Sequence, residues 1–402
     1  MTIIDDLCDG SVWEDFFQRK FPALCKPNAK ELKESYMNQV MEITNGIREG
    51  TYRFKPVSRI EVPKPNGDKR VVYTSKRHGD IAEHMVLRLF ASLLQRYDNL
   101  LSDNLYSFRN EGGVQKAIAR MREIEDIGSK YAYKADITKY FNSVDKDKMM
   151  RVLKKSGVEK EACDIIKGIL YEPMVVLDGR LVEDYEKGIM PGMPFATFLS
   201  NLFLTVIDKH FHDLKVQYYR FADDILILAD SEKELRQYVA YTKRTIRSKG
   251  LDINPNKEFF YKPHDRIEFL GLYIQDGKFD LNTKSLKRAM SKIRIAGREY
   301  RKKVEEGEKT EDDAVHCFVI KMRYRFFGSK ECSNKCWASW YFPLINTDES
   351  LKIIDHQIQE WARYIKTGKH VKRNRYSVSY EELKERGYHT IVNGFYNRSY
   401  KS

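Results

Sequence analysis

The spacing of apolar residues changes period several times along the chain, and each change marks an element. The stretch "NAKELKESYMNQVMEITNGIREG" spaces its apolar side chains at three- and four-residue intervals. It predicts a helix that starts at Asn28 and stops at Gly46 or Gly50, closing a first 50 residues that read as helical. "YRFKPVSRIEVPKPNGDKRVVYTS" has strand character on both sides of Asn66-Gly67, a dipeptide suited to a tight hairpin turn. Helical spacing returns over 80–97 and 113–126. "KYAYKADITKYFNSVD" predicts a strand that leaves the core at Asp136, and "KDKMMRVLKKSG" a helix ended by Gly157. "MVVLDGRLV" gives 172–188 short β character, and a long apolar helix is predicted from Ala196 to Phe211. A strand–turn–strand follows, then a helix over 232–249, a hairpin in "RIEFLGLYIQDGKFDLN" turning at Asp276-Gly277, and a helical remainder from 281.

One short stretch departs from this patterning. In "YYRFADDILIL", residues 218–228, two adjacent acids sit between apolar strands. Asp5-Asp6 and Asp312-Asp313 are also paired acids, but their polar settings read as solvated surface. Asp223 and Asp224 crown a tight hairpin at the edge of a core, where carboxylates a few ångströms apart repel unless a cation or a proton intervenes. A divalent cation is the natural offset. Asp136, at the end of another apolar strand, supplies a third carboxylate. Such a set suits two Mg²⁺ ions about 3.5–4 Å apart, able to activate a primer 3′-hydroxyl and neutralise a departing pyrophosphate.

Composition narrows the partners. The 402 residues carry a net charge of +13, with 42% hydrophobic and 32% charged residues, as expected of a globular chain with a sizeable core. Residues 281–402 hold 26 Lys and Arg against 15 Asp and Glu, so the excess is concentrated there and points to a polyanionic partner such as nucleic acid. No apolar run is long enough to span a membrane, and the acidic start "MTIIDDLCDGSVWEDFF" does not read as a signal peptide. Six scattered cysteines suit a reducing, cytoplasmic location better than a disulfide framework.

The motifs together resemble those of reverse transcriptases. "FADD" at 221–224 is similar to their catalytic box, and "DITKYFNSV" at 136–144 to their first palm motif. "SRIEVPKPNGDKR" resembles their fingers hairpin and "LYSFRNEGG" a second fingers motif of bacterial members. "GLDINPNKEFF" and "EFLGLYI" resemble the two later palm motifs. Six motifs in order over roughly 55–275 resemble most the bacterial group II intron, retron and defence-associated enzymes. The resemblance implies an α+β right-hand polymerase fold. Its parts would be an N-terminal helical extension (1–50), fingers (51–130), a palm (131–280, with a fingers insertion near 150–188) and a basic helical thumb and C-terminal region (281–402). It implies RNA-directed DNA synthesis on an RNA template or structured RNA, from a DNA or RNA primer and deoxynucleoside triphosphates. The expected cofactor is Mg²⁺, with Mn²⁺ as a substitute, and a partner protein is possible.

The same resemblance assigns residues. Asp136, Ile137, Asp223 and Asp224 would form the metal set, and Lys257 would protonate the pyrophosphate. Lys69 and Arg70 would grip the triphosphate with Gly192 beside the nucleotide. Phe141, five residues after Asp136, would press on a 2′-hydroxyl as a sugar gate. Arg109 would line the template path, and Phe269, Leu270 and Gly271 would grip the primer. Each has a plainer reading as core, turn or solvated surface. In the basic tail, cations interleaved with aromatics, including Lys372, Arg373 and Arg375, suit a single strand or a structured RNA, unless the aromatics are only a thumb core.

The chain departs from the family in "MPGMPFATFLSN", 190–201, where Pro191 replaces a Gln that touches the nucleotide sugar or template. This motivates a rival reading, extension of a primer or protein side chain without a template. An RNA-making polymerase is opposed by Phe141, and an idle RNA-binding protein by three intact carboxylates. The tail is shorter than the added modules of full intron proteins, which favours a retron-like or phage-defence enzyme. His316, Cys317, Cys332 and Cys336 match no usual zinc spacing.

Overall fold

A computed structural model describes residues 2–63, 67–76, 81–109, 112–185, 188–329, 336–369, 371 and 378–397. Lys372, Arg373 and Arg375, the turn residue Asn66 and Cys332 therefore lie outside the described residues. Two compact units divide the chain, Met1–Gly113 with Tyr131–Phe260, and Val114–Lys130 with Tyr261–Ser402. This grouping is by compactness and cuts across the four expected segments.

The first unit opens with helices at Ile3–Leu7, Gly10–Lys20 and Lys30–Glu49. Asn28 does not cap the third. It lies in a 3₁₀ turn, Pro27–Ala29, whose proline presets the backbone, and the helix begins afterwards without a side-chain cap. Gly46 is inside the helix, and Gly50, left-handed at φ 73°, ends it. The predicted hairpin forms as β1 (Val57–Pro63) and β2 (Lys69–Thr74), with Pro63 opposite Lys69.

The strand before Asp136 is β3 (Tyr131–Asp136), and the β stretch after 172 is a hairpin of β4 (Met174–Leu177) and β5 (Arg180–Glu183). β4 runs parallel to β1, giving a sheet in the order β2–β1–β4–β5. The pairing joins residues more than 100 positions apart, so local pattern gave no sign of it. Nor did the reading anticipate the helix Lys160–Leu170, which buries Cys163, Ile166 and Ile169.

The central sheet adds β6 (Gln217–Phe221), β7 (Asp224–Ala229) and β8 (Phe259–Tyr261) in the order β6–β7–β3–β8. Ile225, Leu226, Ile227 and Leu228 are all essentially inaccessible, as a continuous apolar strand requires when both faces are covered. Helix Ala196–Asp213 packs against β6, and Glu232–Ser248 against β7 and β3. The two-residue period puts Asp136, Asp224 and Lys134 on one face of this sheet and Arg220 on the other.

In the second unit, "RIEFLGLYIQDGKFDLN" makes a three-stranded meander rather than a single hairpin, with β9 (Ile267–Phe269), β10 (Leu272–Gln275) and β11 (Lys278–Leu281). Both two-residue turns, Leu270-Gly271 and Asp276-Gly277, have positive φ at both positions, the backbone of a type I′ hairpin. Helices Thr283–Glu305, Glu311–Phe327 and Glu349–Thr367 follow, the first two capped by Asn282 and Thr310. Gly297 lets the first of these helices approach the third. A Cβ there would stand 2.2 Å from Cε3 of Trp361. Gly297→Ala should therefore destabilise this unit by about 1–3 kcal/mol through overpacking. Urea unfolding with an unchanged midpoint would contradict that close packing.

Candidate active site

The site grows from the turn between β6 and β7. Phe221 pairs with Asp224, so Ala222 and Asp223 alone make the connection. Ala222 has φ 57°, a conformation that a residue with a Cβ adopts at a cost. Asp224 pairs directly with Asp136 across β7 and β3, which sets two carboxylates side by side with the third at the turn. Asp136 is braced from behind, as Thr138 N–H donates to the Asp252 carbonyl at 2.9 Å and Asn254 N–H to the Asp136 carbonyl at 2.8 Å.

Two lysines face these acids. Lys257 Nζ donates to Asp136 Oδ2 at 2.7 Å, and Lys134 Nζ lies 3.7 Å from Asp224 Oδ1. Burial raises the Asp223 carboxyl, and the Asp136 charge raises it further, against the opposing pull of Lys257 and Arg70. Asp224 is pushed up to about 7, chiefly by burial and also by the Asp223 and Asp136 charges, with Lys134 opposing. Desolvation acts to lower the Lys257 ammonium, but the hydrogen bond and charge of Asp136 leave it raised overall.

This arrangement fits hard divalent cations. Oδ1 of Asp224 is buried without a hydrogen-bond partner, beside like charges that need an offset, and every candidate ligand is oxygen. Among the described residues no three His, Cys, Asp or Glu side chains stand as a ready metal cluster, at this site or at the His316–Cys336 segment. Cys336 instead caps the short helix Trp337–Tyr341.

A buried polar network lies behind the turn on the opposite face of the sheet. Arg220, fully buried, donates to Asp208 through Nε at 2.7 Å and Nη2 at 2.5 Å. Its Nη1 donates to the Ala222 carbonyl at 3.0 Å and its Nη2 to the Asn201 carbonyl at 2.9 Å. Ala222 N–H donates to Ser107 Oγ at 2.9 Å, and Ser107 Oγ donates to Asn201 Oδ1 at 3.0 Å. Sequence reasoning passed over Asp208, Arg220 and Lys134. A signal was present for Arg220, a lone cation between the aromatics of "YYRF", since a buried charge needs a partner; Asp208, followed by Lys209 and His210, gave a weaker one.

The remaining expected residues fall as follows. Ile137 is buried and bridges Ile253. Phe141 is half-buried, its carbonyl accepting from Ile189 N–H at 2.9 Å, and its ring stands edge-on to Tyr140. Lys69 and Arg70 are exposed at the start of β2, and Lys69 bonds Glu61 at 2.8 Å. Arg70 is near enough to Asp223 to favour its ionised form. Gly192, at φ 101°, leaves no room for a Cβ, which would meet the Tyr73 carbonyl at 2.6 Å. Arg109 is turned onto its own loop, donating to the Ser102 carbonyl at 2.8 Å beside Asp98 and Asp103. Phe269, Leu270 and Gly271 form the first turn of the meander in the second unit.

Two paired carboxylates and a third at the adjoining turn thus stand at one end of the four-stranded sheet β6–β7–β3–β8. The chain matches the reverse transcriptase (RNA-dependent DNA polymerase) family over residues 62–274, more than half its length, and belongs to that family. The fold is the α+β right-hand polymerase fold that the motifs implied. It is 23% identical over 211 residues to the putative COX1/OXI3 intron 1 protein of Saccharomyces cerevisiae, covering 52% of this chain and 23% of that protein. It is 22% identical over 247 residues to the retron Ec86 reverse transcriptase of Escherichia coli, covering 60% of this chain and 69% of that protein. Among solved structures, the apo telomerase of Candida tropicalis aligns with a TM-score of 0.48 and 12% identity, over 81% of this chain and 58% of that one. The chain spans less than a quarter of the length of the first curated relatives it matches.

The raised Asp224 carboxyl has a consequence for stability. Between its ordinary value of 3.8 and about 7, the folded chain holds a proton that the unfolded chain has released. Stability therefore falls as pH rises through that window, and the full cost is present above it. Asp224→Asn removes the cost. In a chelating buffer at pH 8 it should be more stable than the parent by roughly 1–2 kcal/mol, allowing for the partly solvated side chain, with the gain vanishing near pH 4. Thermal unfolding across that range tests this, and equal stability at pH 8 would refute it.

Proposed function

We propose that the chain is an RNA-directed DNA polymerase acting by two-metal nucleotidyl transfer. The observation that carries this reading is the direct pairing of Asp136 with Asp224, with Asp223 at the adjoining turn. Asp136, Ile137 and Asp223 would hold Mg²⁺, or Mn²⁺ in its place, with Asp224 completing the set. When bound there, the ions would supply Lewis-acid activation of a primer 3′-hydroxyl and neutralise the charge of pyrophosphate. Lys69, which would exchange its bond to Glu61 for phosphate, and Arg70, both exposed at the start of β2, would bind the triphosphate of a deoxynucleotide. Lys257, already within hydrogen-bond reach of the cluster, would give its proton to the departing pyrophosphate. The regions expected as fingers, palm and thumb serve as the working parts.

The nucleic-acid partner is supported by helix Thr283–Glu305. Lys284, Lys287, Arg288, Lys292, Arg294 and Arg298 are exposed on it, with no ion-pair partner among the described residues, as phosphate contacts require. The retron match, which spans 69% of that protein, supports a retron-like or defence type of bacterial enzyme, and a cytoplasmic place of action goes with that reading. A second reading, untemplated or protein-primed extension, draws on Pro191. It is buried, and its carbonyl accepts from Tyr73 N–H at 2.7 Å, so an apolar ring and a committed carbonyl stand where relatives offer an amide.

Asp136→Ala and Asp223→Ala should each abolish incorporation on an RNA template while leaving the fold intact. Mg²⁺ should raise the melting temperature of the parent and not of these variants, because a ligand stabilises only the state that binds it. Full activity in either variant would end the polymerase reading.

Phe141→Ala should raise ribonucleotide use relative to deoxynucleotide use by removing the ring that meets a 2′-hydroxyl. Competition between the two triphosphates measures it, and an unchanged ratio would place the sugar gate elsewhere.

A further inference from the structure

Resting on the polymerase reading above, we propose that Ser107, Asn201, Asp208 and Arg220 are positioning residues. They form a buried clamp that holds the Ala222–Asp223 turn in its strained shape and so sets how tightly the carboxylates take up divalent cations. Strained backbone persists only where its surroundings over-determine it. Here both backbone polar groups of the strained residue are captured by buried side chains. Ala222 N–H goes to Ser107 Oγ at 2.9 Å, and its carbonyl takes Arg220 Nη1 at 3.0 Å. Asn201 ties the two arms together. Its Nδ2 donates to the Ser107 carbonyl at 2.8 Å, its Oδ1 accepts from Ser107 Oγ, and its carbonyl accepts from Arg220 Nη2.

Asp208 fixes the arginine fork in two places and also accepts from Tyr218 at 3.0 Å, so its carboxylate cannot turn away. The loop bearing Ser107 is brought to the turn by backbone bonds, Arg220 N–H to the Asn104 carbonyl and Tyr106 N–H to the Arg220 carbonyl, each at 3.0 Å. A fully buried ion pair is weak evidence for stability, since apolar side chains of equal volume commonly serve as well. What this pair supplies that they would not is a rigid fork aimed at the carbonyl of the residue before Asp223. None of the four side chains lies on the carboxylate face, so their effect on the chemistry passes through the turn.

The test uses the full chain, with Mn²⁺ as the probe. Ser107→Ala deletes one arm. Arg220→Lys keeps the charge for Asp208, but an ammonium cannot span Asp208 and the carbonyls of Ala222 and Asn201 together. Mn²⁺ binding is measured by paramagnetic resonance without nucleotide or nucleic acid, alongside melting temperature and single-turnover incorporation. Both variants should bind Mn²⁺ about tenfold more weakly and lose about ten- to a hundredfold in kcat, as a small displacement of catalytic groups does. The KM for nucleotide should move less than about twofold. Ser107→Cys, close in volume with a weaker acceptor, should fall between Ser107→Ala and the parent. Parental Mn²⁺ affinity in both folded variants would overturn the clamp, as would a loss seen in melting temperature alone. If the parent itself incorporates no nucleotide, the polymerase reading fails, and the Mn²⁺ titration still decides the clamp.

Discussion

Mutual repulsion among three carboxylates at one end of a sheet is the constraint around which the first unit is organised. Burial makes it worse, because Asp223 and Asp224 lose solvent, and their proton affinity is raised further by the Asp136 charge on both and the Asp223 charge on Asp224. Such a cluster is kept together by backbone pairing and by the tight turn. Asp136 and Asp224 are neighbours because two strands are in register, and Asp223 follows because a two-residue turn allows it no other place. The apolar strands Tyr131–Ala135 and Ile225–Ala229 supply the burial that anchors the register. Lys257 and Lys134 then temper the charge from the solvent side, each engaging a different carboxylate.

Much of this was legible in the sequence because it is local. An acid doublet between apolar strands, a third acid at the end of another, and Gly-containing two-residue turns are each signals within a dozen residues. The element boundaries around them came out close to expectation. What stayed hidden depends on distance along the chain. The parallel pairing of β4 with β1 and the partnership of Asp208 with Arg220 are facts about which segments meet. Lys134 looked like one more polar position in a half-buried strand, although its two-residue offset from Asp136 already put it on that face, and the register with β7 shows that Asp224 lies there too. Asn28 misled for a different reason, since a good capping residue loses its effect when proline has already committed the preceding backbone to a 3₁₀ turn.

The second unit carries a different balance. Its buried acids bind backbone. Asp355 accepts from Ile391 N–H and Val392 N–H and from the Tyr388 hydroxyl, and Asp280 accepts from Ser350 N–H and Thr347. These acids serve as internal fasteners for a unit whose surface is strongly basic. The six exposed cations of Thr283–Glu305 sit on a helix whose other side is fixed by the close approach of Gly297 to Trp361. Packing and charge thus occupy opposite sides of one helix, and the cations spread over its outward face.

The bond from Tyr73 N–H to the Pro191 carbonyl has a mechanical meaning. It fastens β2 to the turn at 190–193 three residues beyond Arg70, and the absent side chain of Gly192 lets the two backbones touch there. An outward swing of the β1–β2 hairpin therefore pivots at Tyr73. The moving arm carrying Lys69 and Arg70 is short, and a short arm converts a small change of angle into a small, well-defined displacement of charge. A loop insertion beyond Pro63 would lengthen the tip without moving the pivot, whereas bulk at Gly192 would shift the pivot itself.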